Sequence, residues 1–202
     1  MENKVLIVVN AGSSSLKIDV YAAQSELDAA ISVSVENIGS SAAELLPGKA
    51  QGQVEATIID AADHTQAIKA CFDWLVAQRA FSIGAVAYRV VHGGARFNEA
   101  TELDDEAVEY LRSITKLAPN HMPPVLACID YFRTQLPDAS HIACFDTAFF
   151  ADAPTETKRF ALPKRYAEKG VVRYGFHGLS YSYLLDSFTQ HEGPSAAQGR
   201  VI

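Results

Sequence analysis

A short polar loop between two apolar segments constrains this chain more than any other feature. The loop occupies residues 10–17, after the continuous apolar run 5–9, and beyond it Leu16, Ile18 and Val20 alternate with polar residues. A continuous apolar run is typical of a strand buried on both faces, and a period of two is typical of a half-buried strand. We therefore predict that the loop joins strand to strand.

The composition of the loop indicates anion binding. A Walker-type loop needs a second glycine followed by Lys-Ser or Lys-Thr and opens a helix, so the alternation beyond residue 15 excludes it. A hairpin turn still binds an anion through successive backbone N–H groups, with serine hydroxyls and the Lys17 ammonium as further donors. An ordinary polar turn is the alternative, because glycine and serine also populate turns for conformational reasons.

Composition and charge narrow the class of protein. The chain has 202 residues, of which 49% are hydrophobic and 20% charged, which predicts a globular protein with a sizeable core. No run approaches the ~20 apolar residues of a membrane span, and the start of the chain lacks a secretory signal pattern. The net charge of −7 disfavours nucleic acid and anionic membranes as partners. We expect a cytoplasmic protein.

The three cysteines are expected to be reduced core residues. Cys71, Cys128 and Cys144 are odd in number, widely spaced and flanked by apolar residues. This spacing matches neither a disulfide framework nor a metal-ligand motif.

Periodicity beyond the first hairpin predicts an α/β domain with a mixed sheet and helices on its faces. Predicted strands lie near residues 31–35, 54–58, 85–91 and 142–145, and predicted helices near 63–78, 104–116, 123–135 and 180–190. Either Thr101 or Asp104 caps the second helix. We predict a loop or a short excursion at 39–52, a linker at 191–195 and a new strand beginning at 199–202. Asn10, Arg89 and Asp146 lie where predicted strands end, and open α/β sheets bind ligands beyond the carboxyl ends of their strands.

Five motifs, in this order, resemble those of the acetate kinase family. They are residues 10–17 (NAGSSSLK), 89–94 (RVVHGG), 117–121 (LAPNH), 145–149 (FDTAF) and 174–178 (YGFHG). The resemblance implies a ribonuclease H-like lobe of the kind found in actin, sugar kinases and heat-shock chaperone ATPases. Family members are about twice as long, so we expect residues 1–190 to form the N-terminal, acyl-substrate lobe. Residues 191–202 would then be a linker and the start of a second lobe.

The resemblance also implies an activity. Family members transfer a phosphoryl group reversibly between ATP and acetate with Mg²⁺, giving acetyl phosphate and ADP in organic acid metabolism, and form homodimers at full length. The implied catalytic residues are Arg89, His121, Asp146 and His177. Arg89, Val91 and Asn120 would bind the acid, Ser15 and Lys17 the phosphate, and Asn10 the metal with its water shell. The lobe alone is expected to be inactive or nearly so.

Each of these residues also has an ordinary structural interpretation. A strand arginine such as Arg89 commonly reaches solvent or an acidic neighbour. His121 can cap the following helix, His177 can be a buried turn histidine, and Asp146 can cap the segment after its strand. The remaining histidines, His64, His92, His141 and His191, are predicted to be structural.

The sequence departs from the family pattern at several positions. The family usually has leucine where this chain has Asn120 and asparagine where it has Met122. Phe150 stands where a histidine usually follows Thr-Ala-Phe, and Leu179 and Tyr181 replace a threonine and a histidine. A polar Asn120 in an apolar wall needs its own hydrogen-bond partner and alters which acid fits.

Three alternatives to an acetate-specific kinase stay open. One is a kinase for another short carboxylate such as propionate. Another is a non-catalytic module of the same fold that binds a nucleotide or a partner. A sugar kinase relative ranks last, because no residues that would bind sugar hydroxyls can be identified.

Overall fold

A computed structural model of the chain describes residues 4–22, 29–48, 55–78 and 81–199. The strands are β1 (Lys4–Ala11), β2 (Leu16–Ala22), β3 (Ile31–Glu36), β4 (Glu44–Pro47), β5 (Thr57–Ile58), β6 (Ser82–Val90), β7 (Thr101–Glu102) and β8 (Ser140–Phe145). The α-helices are α1 (His64–Ala77), α2 (Asp105–Ser113), α3 (Met122–Gln135), α4 (Lys164–Glu168), α5 (Gly178–Glu192) and α6 (Pro194–Ala197). Short 3₁₀ turns occupy Thr115–Leu117 and Ala148–Phe150.

The eight strands form one mixed sheet in the order β5-β4-β3-β2-β1-β6-β8-β7. Strands β1 to β5 pair antiparallel in succession, as expected for strands joined by hairpin-type connections. Strand β6 pairs parallel with β1 after the crossover through α1. The predicted α/β class with a mixed sheet is therefore confirmed.

The core of the sheet lies under α1 and α3. Alternate residues of β1 and β2, among them Ile7, Val9 and Ile18, are fully buried, as the period of two predicts. The two helices contact each other and the central strands. The opposite face carries Asn10 of β1 and Lys17 and Asp19 of β2, together with the half-buried apolar residues Leu6 and Val8.

Caps fix where the first two helices begin. The Asp63 carboxylate accepts a hydrogen bond from the Gln66 N–H, and the Asp104 carboxylate accepts one from the Ala107 N–H. Asp104, and not Thr101, is therefore the cap of α2, because Thr101 belongs to β7. Helix α3 has proline in its first turn, where a missing N–H costs no hydrogen bond.

The structure differs from the prediction in two places. Strand β4 lies inside the stretch 39–52 that was predicted to be a loop or a short excursion, because Glu44–Pro47 pairs antiparallel with β3. The stretch 191–195 is helical except at Gly193, and its role as a linker stays a prediction. The predicted strand at 54–58 shortens to β5, and residues 200–202 lie outside the described part of the chain.

The chain divides into two compact units. Unit 1 comprises Met1–Val90 and Thr101–Ala143, and unit 2 comprises Val91–Ala100 and Cys144–Ile202. The lobe boundary predicted near residue 190 stays a prediction. In the part of the chain that the structure describes, no helix combines the length and apolarity required to span a membrane. The three cysteines are free, and burial raises the pKa of the Cys71 thiol to about 12.

Candidate active site

Asn10 and Arg89 come together at the ends of two neighbouring strands in unit 1. Strands β1 and β6 run parallel with Val9 opposite Tyr88. The next residues, Asn10 and Arg89, therefore lie side by side at the same end of the two strands. Arg89 Nη1 donates a hydrogen bond to Asn10 Oδ1 over 3.3 Å. The sheet therefore places a guanidinium beside the start of the polar loop.

Lys17 lies on the same face of the sheet as Asn10. The two residues are opposite each other in the antiparallel pair of β1 and β2, so their side chains project to one side. The Lys17 side chain is 59% exposed, and its Nζ lies 3.3 Å from a carboxylate oxygen of Asp19. An exposed pair of this kind is worth little free energy, so an anion can compete for the ammonium.

The loop from Gly12 to Ser15 turns its carbonyl groups towards the protein. The Gly12 N–H donates to the Ser15 oxygen over 2.8 Å, and the Ser14 oxygen accepts from the Ile38 N–H over 2.9 Å. The Gly12 oxygen lies 2.8 Å from His64 Nε2 of α1. Three carbonyl oxygens of the loop are thus engaged by its own turn, by the segment after β3 and by α1.

The amide groups of the same loop are left for solvent or a ligand. Within the described residues, the N–H groups of Ser13, Ser14 and Ser15 have no hydrogen-bond acceptor. Ser13 and Ser14 are exposed and Ser15 is half-buried. Backbone N–H groups without acceptors are available to an anion, and phosphate binding by this loop stays a prediction.

Asn120 and His121 lie just before α3, also in unit 1. Both side chains are exposed. His121 occupies the N-cap position, but its side chain makes no capping hydrogen bond, and only its backbone N–H bonds to the Ala118 oxygen. Helix capping therefore does not explain the His121 side chain.

Asp146 and His177 are joined through a tight backbone contact in unit 2. Asp146 follows β8 and is 1% exposed. Its carbonyl oxygen accepts a hydrogen bond from the Gly178 N–H over 3.0 Å, and Gly178 is buried. His177 is exposed and adopts the left-handed conformation, with φ 59 and ψ 22. This conformation is uncommon outside glycine and clusters at functional sites.

Val91 and His92 follow β6 in unit 2. Val91 is half-buried, whereas His92 is 2% exposed and packs edge-on against Tyr174, with ring centroids 4.4 Å apart. His92 Nδ1 accepts a hydrogen bond from the Gly94 N–H over 2.8 Å, so this nitrogen carries no proton. Burial lowers the pKa of His92. These contacts give His92 a structural role.

The predicted residues thus form two sets. Unit 1 gathers Asn10, Lys17 and Arg89 on one face of the sheet beside Ser15. Unit 2 gathers Asp146 and His177. That the two sets bind one anion stays a prediction, as do the individual roles assigned to these residues.

Sequence reasoning predicted His64 to be structural and did not predict its contact with the Gly12 oxygen. It lies 52 positions from Gly12, and no local pattern reveals a contact over that separation.

The fold and the first set of residues define the class of protein. The acetate kinase of Porphyromonas gingivalis has a solved structure that matches 94% of this chain, with a TM-score of 0.82 and 30% identity. The solved structure of a propionate kinase from Francisella tularensis subsp. tularensis matches 93%, with a TM-score of 0.84 and 25% identity. This chain covers 49% and 48% of those chains. The ribonuclease H-like, actin-type fold is therefore shown.

Sequence comparison gives the family. The chain matches the model of the acetokinase family over residues 5–202 and belongs to that family. The acetate kinase of Rickettsia typhi is 37% identical over 188 residues, which are 92% of this chain and 48% of that protein. The acetate kinase of Rhodopseudomonas palustris strain TIE-1 is 35% identical over 205 residues, 98% of this chain and 51% of that protein. The chain spans about half the length of these curated relatives.

Proposed function

We propose that this chain supplies the acyl-substrate half of a carboxylate kinase, which transfers a phosphoryl group reversibly between ATP and acetate. The products in the forward direction are acetyl phosphate and ADP. One observation supports the proposal beyond family membership: Arg89 lies near the end of β6 and donates a hydrogen bond to Asn10, beside a loop whose Ser13, Ser14 and Ser15 N–H groups have no acceptor in the described residues. A guanidinium close to a set of N–H donors matches a phosphoryl group in charge and in hydrogen bonding.

The chemistry requires charge and positioning more than a base. Acetate is already an anion, and one of its oxygens attacks the γ-phosphorus of ATP while the bond to the β-phosphate oxygen breaks. No proton has to be removed. Two anions must approach each other, so positive charge at the site lowers the barrier. An arginine in this role is worth ~10³ to 10⁵ in rate, and we assign it to Arg89.

The remaining residues have supporting roles in this proposal. His121 and His177 donate hydrogen bonds to the oxygens of the phosphoryl group in transfer. Ser15 and Lys17 bind phosphate, and Val91 and Asn120 line the site of the acid. The exposed His121 and His177 side chains are compatible with these roles, because neither is used for helix capping.

The residues present fit a magnesium ion that arrives with the nucleotide. In the described ranges, no group of three or more His, Cys, Asp or Glu residues forms a ready-made metal site. Mg²⁺ is commonly held by one or two carboxylates together with substrate phosphates, and it would neutralise charge on those phosphates. We assign the carboxylate to Asp146. Asn10 would contact the water shell of the ion, beside the guanidinium that its Oδ1 already binds.

The proposal concerns a protein of the length usual in the family. We propose that transfer also requires a nucleotide-binding lobe, so that the present chain alone has little or no activity. We further propose a homodimer at that length, in the cytoplasm, with neither nucleic acid nor membrane as a partner. Propionate is the alternative acid, supported by the likeness to the Francisella propionate kinase.

Phosphoryl-transfer assays test the proposal directly. The family-length protein that contains this chain is incubated with ATP, Mg²⁺ and acetate, propionate or butyrate, and acyl phosphate is trapped with hydroxylamine. We expect product with at least one acid, and a loss of ~10³-fold or more in Arg89→Ala. Lys69→Ala, an exposed residue of α1, is the matched control. The absence of acyl phosphate with all three acids would contradict the proposal.

A non-catalytic binding module is the second candidate, and one contact in unit 2 favours keeping it. Phe150 and Tyr181, which stand where family members usually have histidines, pack against each other with ring centroids 6.0 Å apart. Calorimetry with acetate and a phosphate analogue separates the candidates. Binding that disappears in Arg89→Ala and His177→Ala supports the enzyme, whereas binding that neither substitution affects supports the module.

A further inference from the structure

The turn from Gly12 to Ser15 is held open. In a closed four-residue turn the first carbonyl accepts a hydrogen bond from the fourth N–H. Here the bond runs the other way, from the Gly12 N–H to the Ser15 oxygen over 2.8 Å. The Gly12 oxygen accepts instead from His64 Nε2 at 2.8 Å, and because a carbonyl only accepts, Nε2 carries the proton.

The histidine contact decides what the loop amides can do. A trans peptide directs its C=O and N–H to opposite sides, so pointing the Gly12 oxygen at His64 turns the Ser13 N–H away from α1. A carbonyl oxygen can accept two hydrogen bonds, so the imidazole acts by fixing the direction of the Gly12 oxygen, which receives no bond from the Ser15 N–H. In the described part of the chain that N–H has no other acceptor, which leaves it available to a ligand.

His64 is well placed to act as a fixed donor. It is the first residue of α1, directly after the capping Asp63, whose carboxylate accepts from the Gln66 N–H over 2.9 Å. The Gln66 side chain in turn accepts from the Ala62 N–H over 2.8 Å. These two bonds hold both sides of the helix start, and the His64 side chain is half-buried.

We propose that His64 is a positioning residue for the phosphate loop: by holding the Gly12 oxygen towards α1, it keeps the turn open and leaves the Ser15 N–H for an anion. This inference rests on the proposed function for its ligand, but the open turn is testable without any ligand. His64 acts through the loop and does not touch phosphate in this proposal. Along the chain, four strands, β2 to β5, lie between this loop and the helix that carries His64.

Amide hydrogen exchange of the present chain tests the open turn. In His64→Ala the Gly12 oxygen loses its donor, and the Ser15 N–H takes its place. Exchange at Ser15 should therefore slow about fivefold, the factor that one ordinary backbone hydrogen bond provides. His64→Asn, whose amide is too short to replace Nε2, should behave in the same way. His64→Gln should restore wild-type exchange, because its amide nitrogen reaches the Nε2 position.

Titration with inorganic phosphate tests the consequence for binding. Chemical shifts of the Ser13 to Ser15 amides report loop occupancy, and Thr65→Ala, an exposed neighbour on α1, is the matched control. We expect the dissociation constant to rise about tenfold in His64→Ala and His64→Asn, as for the loss of a hydrogen bond to a charged group. His64→Gln and Thr65→Ala should stay within about twofold.

The two measurements separate this inference from the proposed function. Exchange at Ser15 that stays unchanged or accelerates in both His64→Ala and His64→Asn would overturn the inference, as would a His64→Gln variant that resembles them. A third result is slower exchange at Ser15 in the two variants together with no phosphate binding by the wild-type chain. This result would support the open turn and count against the proposed phosphate site.

Discussion

Gly178 links the backbone of Asp146 to the start of α5, and substituting it tests that link. A Cβ at this position would lie 2.5 Å from Phe149 Cβ and closer still to the Asp146 oxygen, whereas real Cβ contacts essentially never fall below 3.0 Å. In Gly178→Ala the start of α5 or the Asp146 backbone must therefore move by about 0.5 Å or more.

The expected cost follows from two effects. Forced repacking of a buried site costs about 1–3 kcal/mol, and a hydrogen bond lost from the buried Gly178 N–H costs about 1–3 kcal/mol more. We expect the free energy of unfolding to fall by about 2–5 kcal/mol in urea titrations of the present chain. In the family-length protein, displacement of His177 relative to Asp146 should also lower kcat, because misplacement by about 1 Å can cost ~10²-fold.

Gly84→Ala is the matched control for this experiment. A Cβ at Gly84 would meet only the flexible Lys4 side chain, at 3.3 Å, and the backbone there has no left-handed φ. We expect a change within about 0.5 kcal/mol. A Gly178→Ala variant as stable as Gly84→Ala would refute the tight contact on which the pairing of Asp146 with His177 depends.

Three further predictions concern histidine protonation, a buried hydrogen bond and the acid site. Burial lowers the pKa of His92 and His141, so the unfolded chain binds more protons below about pH 6.5, and stability should fall as pH decreases through this value. The slope should reach up to ~1.4 kcal/mol per pH unit for each histidine, and urea midpoints that stay constant from about pH 7 to 5 would contradict it. Tyr88→Phe removes the hydroxyl that lies 2.7 Å from His141 Nδ1 and should lower the free energy of unfolding by about 1–3 kcal/mol; calorimetry showing less than about 0.5 kcal/mol would count against this bond. Asn120→Leu should change the ratio of kcat/KM for acetate over propionate by about tenfold in the family-length protein, and an unchanged ratio would remove Asn120 from the acid site.

Local pattern predicted most of the fold because most elements have a clear period. The alternation of Leu16, Ile18 and Val20 marked β2, and the capped, amphipathic segment after Asp63 marked α1. Strand β4 was not predicted, because two leucines in four residues have no recognisable period. The segment gains its strand geometry from pairing with β3. Helix α6 was not predicted, because the adjacent Gly193 and Pro194 are typical of a linker.

The candidate site could be predicted only in part. Asn10 and Arg89 were found because both lie near the ends of apolar strands, and the carboxyl ends of a parallel pair lie side by side. The role of His64 could not be found, because it depends on where a helix start lies relative to a loop 52 residues away. Which N–H groups of the loop lack an acceptor likewise depends on which loop carbonyls accept hydrogen bonds from other segments, and no local sequence pattern reveals those contacts.

The contact between Phe150 and Tyr181 has a consequence for substitution at either position. The two rings lie with their centroids 6.0 Å apart, so the effect of changing one residue depends on the residue at the other position. Replacing either residue alone by histidine places an imidazole beside the remaining aromatic ring, whereas replacing both changes the pair as a unit. We therefore expect the effects of Phe150→His and Tyr181→His on the free energy of unfolding to be non-additive.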